Sequence, residues 1–157
     1  MSNKLLVDTN ILIYANLPNE SFHLVAKSKL EELSVQYDLV ITRQIIREYL
    51  RVKSSIMHQN NLYDAKILVA DVDFFTENFL VLDEDKNTTE NLLHFIDAYQ
   101  VKGKQIHDCN IVASMIQHQV FSIYTNNEAD FKRYEPVIQI ISLIDTEPEG
   151  IIKIHNY

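Results

Sequence analysis

The chain has 157 residues, 46% apolar and 23% charged, enough for about one folded domain with a real core and too apolar for a disordered segment. No apolar run reaches the ~18 residues needed to span a bilayer, and a single cysteine, Cys109, excludes an intrachain disulfide and a multi-cysteine zinc site. Only two glycines, Gly103 and Gly150, stand where ordinary usage of about 7% gives roughly eleven, which excludes a glycine-rich phosphate cradle, while a net charge of −8 opposes a polyanion at long range.

The predicted elements alternate. Lys4–Val7 is a short buried-strand pattern ending at Asp8. A helix follows through Ile11, Leu12 and Ala15 and stops at Leu17-Pro18-Asn19. A second starts at Asn19 or Ser21, with Phe22, Val25, Ala26, Leu30 and Leu33 on its apolar stripe. Asp38–Thr42 is a strand, and Thr42 caps a helix carrying Ile45, Ile46, Tyr49, Leu50 and Val52. After a break at 58–61, residues 65–79 are helical and apolar around much of the circumference, with Phe74, Phe75 and Phe79 read as core. Leu80–Leu82 is strand-like, and Asp83-Glu84-Asp85 reads as a solvated loop. Thr88 or Thr89 caps a helix to about Lys102 that Gly103 ends, a shorter helix covers 107–119, and 121–125 and 137–143 are strands.

Short apolar strands separated by helices imply an α/β protein, a three-layer α/β/α sandwich around a mainly parallel sheet. No repeat or linker divides the chain, so residues 1–144 are expected to form one domain, with 145–157 a tail that offers an edge strand at Ile151-Ile152-Lys153-Ile154. The N-terminus lacks a long apolar stretch and a cleavage site, and the lone cysteine suits a reducing compartment, so a cytoplasmic location is expected.

In open α/β sheets the working site lies beyond the carboxyl ends of the strands. Asp8 follows the first strand, with Asn10 two residues on to hold a carboxylate by its amide. Glu48 shares a helix face with Ile45 and Val52, so it points toward the core side. Asp108, in the first turn of its helix, shares a face with Ile111, Val112 and Met115. Asp130 comes five residues past Thr125, the end of another strand, with Asn127 between. Singly, a first-turn or strand-end Asp is ordinary. An inward glutamate is not, and acids from four segments at one sheet edge need a cation to neutralise them. All-oxygen donors suit a hard ion, Mg²⁺ or Mn²⁺, able to activate water and clamp a phosphate.

Four blocks then resemble one family in order and spacing: Val7-Asp8-Thr9-Asn10-Ile11-Leu12-Ile13-Tyr14-Ala15, Ile41-Thr42-Arg43-Gln44-Ile45-Ile46-Arg47-Glu48-Tyr49, His107-Asp108-Cys109-Asn110-Ile111-Val112-Ala113, and Tyr124-Thr125-Asn126-Asn127-Glu128-Ala129-Asp130-Phe131. They are similar to PIN domains, especially VapC-type toxin ribonucleases, over roughly residues 4–143. The resemblance implies a metal-dependent endoribonuclease leaving a 5′-phosphate and a 3′-hydroxyl. Its acidic positions fall on Asp8, Glu48, Asp108 and the last block, where Asn127 stands at a position that is acidic in many relatives and Asp130 follows. Asn10 would orient the acids and Thr125 a ligand or water. A homodimer and a small VapB-type antitoxin are the implied protein partners, with RNA as substrate.

Arg43, Arg47 and Arg51 recur every four residues on the helix of Glu48, with Lys53 nearby; they form either a path for RNA phosphates or a solvated face. His107 is a substrate contact or, more simply, structural, and Cys109 is a small core filler. Two other functions compete. A non-catalytic, regulatory RNA-binding PIN domain draws on Asn127. A phosphatase of the haloacid-dehalogenase type also opens with an Asp after its first strand, but Asn10 stands where that family needs a second Asp. Asp8, Glu48, Asp108 and Asp130 carry four of the net negative charges, leaving −4 elsewhere, so nucleic-acid binding is expected to depend on metal.

Overall fold

The computed structural model describes residues 3–144, so the edge strand expected in the 145–157 tail lies outside the described residues. Within them the elements run β1 (Lys4–Val7), α1 (Thr9–Ala15), α2 (His23–Gln36), β2 (Asp38–Thr42), α3 (Arg43–Gln59), α4 (Ala65–Asn78), β3 (Leu80–Leu82), α5 (Lys86–Tyr99), α6 (Gln105–Gln117), β4 (Ser122–Thr125), α7 (Glu128–Phe131), a 3₁₀ turn (Lys132–Tyr134) and β5 (Gln139–Ser142). The sheet has the order β3-β2-β1-β4-β5 and every pairing is parallel.

The central strand β1 aligns Leu5 with Leu39 of β2 and Leu6 with Ile123 of β4. Leu5, Leu6, Val7, Val40, Ile41, Ile123 and Tyr124 are fully buried, the continuous apolar runs that a sheet covered on both faces demands. Right-handed crossovers explain the layers. The chain steps from β1 through β2 to β3 with α1 to α4 between, then returns past β1 to β4 and β5 with α5 to α7 between, which puts the two helix groups on opposite faces. In keeping with this, α1 packs on α2 and α3, whereas α5 pairs with α6 and α6 meets α7. Because all strands are parallel, Asp8, Thr42 and Thr125 emerge at the same edge.

Thr42 caps α3 as expected, its hydroxyl accepting from the Ile45 N–H at 3.1 Å. Other boundaries differ. The α5 helix starts at Lys86 because Asp85 and Thr88 form a reciprocal capping box: the Asp85 carboxylate accepts from the Asn87 and Thr88 N–H groups, and the Thr88 hydroxyl accepts from the Asp85 N–H. It ends at Tyr99 through a left-handed Gln100, so Gly103 instead turns the chain into α6. On α2 the buried stripe is Ala26 and Leu33, flanked by half-buried Phe22 and Leu30, while Val25 lies beside it and is 47% exposed. Of the three phenylalanines read as core, Phe75 is buried, Phe79 is partly buried and Phe74 is 53% exposed.

Lys53 does not join the exposed arginines. It turns inward from α3 and pairs with Asp71 of α4, whose carboxylate also accepts from the Tyr49 hydroxyl at 2.7 Å. Phe75 stacks edge-on against Tyr49 at 4.8 Å between centroids, closing this polar cluster beneath an aromatic layer.

Candidate active site

Asp8 is the N-cap of α1, and three neutral donors hold its carboxylate. The Thr9 N–H donates to Oδ1 at 2.8 Å; the Asn10 amide and the Thr125 hydroxyl donate to Oδ2 at 3.0 and 2.7 Å. Its backbone N–H continues the β1–β4 ladder to the Tyr124 carbonyl. Burial nevertheless pushes the acid up to about 6; the three hydrogen bonds oppose that rise and the charge of Glu48 adds to it.

Glu48 reaches the same edge from the second turn of α3. The Thr9 hydroxyl donates to its Oε2 at 3.0 Å and the Gln44 amide to its Oε1 at 2.8 Å. Asp108, partly buried in the first turn of α6, is pushed up to about 7, first by burial and then by the negative charges of Asp130, Asp8 and Glu48, with Lys104 opposing weakly. Each of the other three acids therefore lies within electrostatic reach of Asp108. The last of them, Asp130, is exposed on α7.

The loop before α7 is fastened to α1. The Asn126 N–H donates to Asn10 Oδ1 at 3.0 Å, the Asn127 N–H donates to Thr125 Oγ1 at 2.9 Å, and the Asn126 amide donates to the Tyr14 hydroxyl at 3.3 Å. Asn127 precedes α7 with its side chain exposed and making no capping bond. Asn10 thus links Asp8 to this loop through opposite ends of one amide.

Arg43, Arg47 and Arg51 are exposed on α3, but Arg43 pairs with Asp83 of the β3–α5 loop, leaving Arg47 and Arg51 as the candidate phosphate contacts. That loop is therefore more than a solvated acidic run, since Asp83 takes Arg43 and Asp85 caps α5. His107 is exposed, and its carbonyl accepts from Gln44 at 2.9 Å. Cys109 is fully buried beside Tyr134, where burial raises its thiol.

Thr9, Gln44, Asn110, Asn126 and Tyr14 belong to the polar framework and were not singled out by sequence. All lie inside the four quoted blocks. Their signal was the polar residue type at buried helical positions: Gln44 and Thr9 are almost wholly buried.

The donors fit a hard cation in charge and type: oxygen ligands only, two of them destabilised as carboxylates by burial and by their neighbours. Among the described residues no three His, Cys, Asp or Glu side chains are gathered tightly enough to enclose an ion unaided.

The PIN domain family model matches residues 5–135. No curated protein matches the chain significantly. Among solved structures, VapBC2 from Rickettsia felis bound to a promoter DNA fragment is similar with a TM-score of 0.65 and 19% identity, covering 88% of this chain and 98% of that one. VapBC-1 from nontypeable Haemophilus influenzae is similar at a TM-score of 0.64 and 16% identity, covering 89% and 98%. VapC20 from Mycobacterium tuberculosis, described as a sarcin-ricin loop cleaving toxin, gives 0.56 and 12% identity over 76% and 86%. At these identities the likeness is one of fold.

Proposed function

The chain belongs to the PIN-domain family, and from that premise we propose that it is a metal-dependent endoribonuclease, the toxin of a VapBC-type pair. The observation that carries this reading is the set Asp8, Glu48, Asp108 and Asp130 at the carboxyl edge of the sheet, close enough for the other three to destabilise Asp108 as an anion. Asp8, Glu48 and Asp108 would hold Mg²⁺ or Mn²⁺ directly or through waters, with Asn127 and Asp130 completing the set. A divalent ion bound there supplies Lewis-acid polarisation of a phosphodiester and a nucleophilic water near neutral pH. Thr125 and Asn10 fix the Asp8 carboxylate by donating to Oδ2 and the Thr9 N–H by donating to Oδ1, which leaves the second lone pair of Oδ1 for a ligand. Membership in the PIN family displaces the phosphatase alternative.

The complexes among the similar folds support an antitoxin partner and the family supports a homodimer; both are part of the proposal. Purified protein incubated with RNA and Mn²⁺ or Mg²⁺ is expected to cut it, and EDTA and Asp8→Asn each to stop the cutting. Cleavage that persists in Asp8→Asn would sink the assignment. Retention of RNA without cleavage would favour the regulatory binding domain.

Arg47 and Arg51 offer RNA phosphates an approach to an otherwise acidic edge. Arg47→Ala with Arg51→Ala, introduced into Asp8→Asn protein so that the RNA survives, is expected to weaken binding for all sequences alike. The slope of log affinity against log salt should flatten by about one per lost contact, read by fluorescence anisotropy. Unchanged binding would mark both arginines as a solvated face.

A further inference from the structure

We propose that Thr9 and Gln44 are positioning residues that clamp Glu48 from two elements and thereby fix its distance from the Asp108 helix; this rests on the metal-dependent reading above. The Gln44 side chain is buried on α3, one turn before Glu48, and both polar atoms of its amide are engaged. Its Nε2 donates to Glu48 Oε1 at 2.8 Å and to the His107 carbonyl at 2.9 Å, and its Oε1 accepts from the Asn110 amide at 2.9 Å. Two of these partners, a carboxylate and a carbonyl, can only accept, and the Asn110 NH₂ can only donate, so the orientation of the Gln44 amide is dictated by chemistry.

His107 and Asn110 flank Asp108 on α6. One neutral side chain therefore ties the glutamate of α3 to the turn that carries the aspartate of α6, across 63 residues of sequence. The second carboxylate oxygen of Glu48 is held independently. Thr9, the residue after Asp8, donates its hydroxyl to Oε2 at 3.0 Å, and Thr9 is itself almost wholly buried.

The physical problem solved here is repulsion. Glu48 is a carboxylate placed among other carboxylates, so like-charge repulsion favours turning its oxygens outward to water, and the donors on both oxygens oppose that. Holding it with a charged donor would cancel the negative field that attracts a cation. A hydroxyl and an amide hold it with no net charge. Partners of this kind around ligating carboxylates typically change metal affinity by about 10–100-fold when removed.

Mn²⁺ affinity, measured by calorimetry on the full chain, separates positioning from general support. Gln44→Met and Thr9→Val are each expected to lower it about tenfold or more, and each effect should vanish when introduced into Glu48→Gln, because both act through that one carboxylate. Two independent variants keep the test open if one of them folds poorly, which melting curves would reveal. Equal Mn²⁺ affinity in the folded variants, or the same loss persisting in Glu48→Gln, overturns the clamp while leaving the nuclease reading standing. Native protein that binds Mn²⁺ with the expected pattern of losses but never cuts RNA overturns the nuclease reading and keeps the clamp. Native protein that binds no Mn²⁺ overturns both.

Discussion

The Asp108→Asn variant is expected to melt higher than the native protein at pH 8 without divalent metal, and to lose metal-dependent RNA cleavage. The reason lies in the cost of ionising this side chain. Burial and the charges of Asp130, Asp8 and Glu48 push Asp108 up to about 7 in the folded chain, against an ordinary value of about 3.9. Between those values the folded state holds more protons than the unfolded one, so stability falls as pH rises from about 4 to about 7. At pH 8 the whole penalty is present. Because Asp108 is only partly buried, water screens it, and a discounted penalty of about 1–2 kcal/mol is appropriate. For a chain of this size that is a gain of roughly 3–6 °C in Tm for the neutral amide.

The gain should shrink steadily when melts are repeated from pH 7 down toward pH 4. Asp8, raised to about 6, adds a penalty of the same sign in its own window between about 4 and 6. A variant that melts no higher than the native protein at pH 8 would show that the four acids do not strain one another. The expected trade is a more stable protein with no activity.

A stability loss of about 3–5 kcal/mol is expected for Asp71→Ala, larger than for any surface charge change. Lys53 is 5% exposed, packed against Tyr49, and its ammonium and the Tyr49 hydroxyl converge on the same Asp71 oxygen. Removing the carboxylate strands a buried cation and a buried hydroxyl together. The double variant Lys53→Met/Asp71→Leu removes the charges as a pair and should recover most of the loss, since a buried ion pair is often no better than an apolar one. Urea melts of the single and double variants check this. A mild loss in Asp71→Ala would mean that Lys53 escapes to solvent when α4 shifts.

The residues that could be read from sequence share one property: their partners are close in the chain or their pattern is periodic. The apolar runs at β1, β2 and β4, the Thr42 cap, and the apolar stripe of α3 belong here. So does the inward side of Glu48, which follows from its spacing to Ile45 and Val52. Asp85 was legible in principle, as an Asp-x-x-Thr box, but the neighbouring threonines compete for the same reading. The four-residue α7 and the 3₁₀ turn are too short to show any period. The pairing of Gln44 with Asn110, 66 residues apart, and of Lys53 with Asp71 depends on which helices the sheet order brings together. No local pattern encodes that. Lys53 illustrates the difficulty well: it sits near three exposed arginines on the same helix, yet its stem points to α4 instead of solvent.

Asn61, Gln100 and Gln119, just past the ends of α3, α5 and α6, take positive φ values of 56°, 51° and 57°, a left-handed backbone that glycine adopts without strain and glutamine does not. A chain with two glycines has thus left roughly 1 kcal/mol unclaimed at each glutamine, at helix ends that carry none of the site carboxylates. These positions amount to mutational reserve. A lineage exploring harsher substitutions at the sheet edge has stabilising exchanges available elsewhere that touch no functional group, so this architecture has room to evolve its chemistry without first remodelling its core.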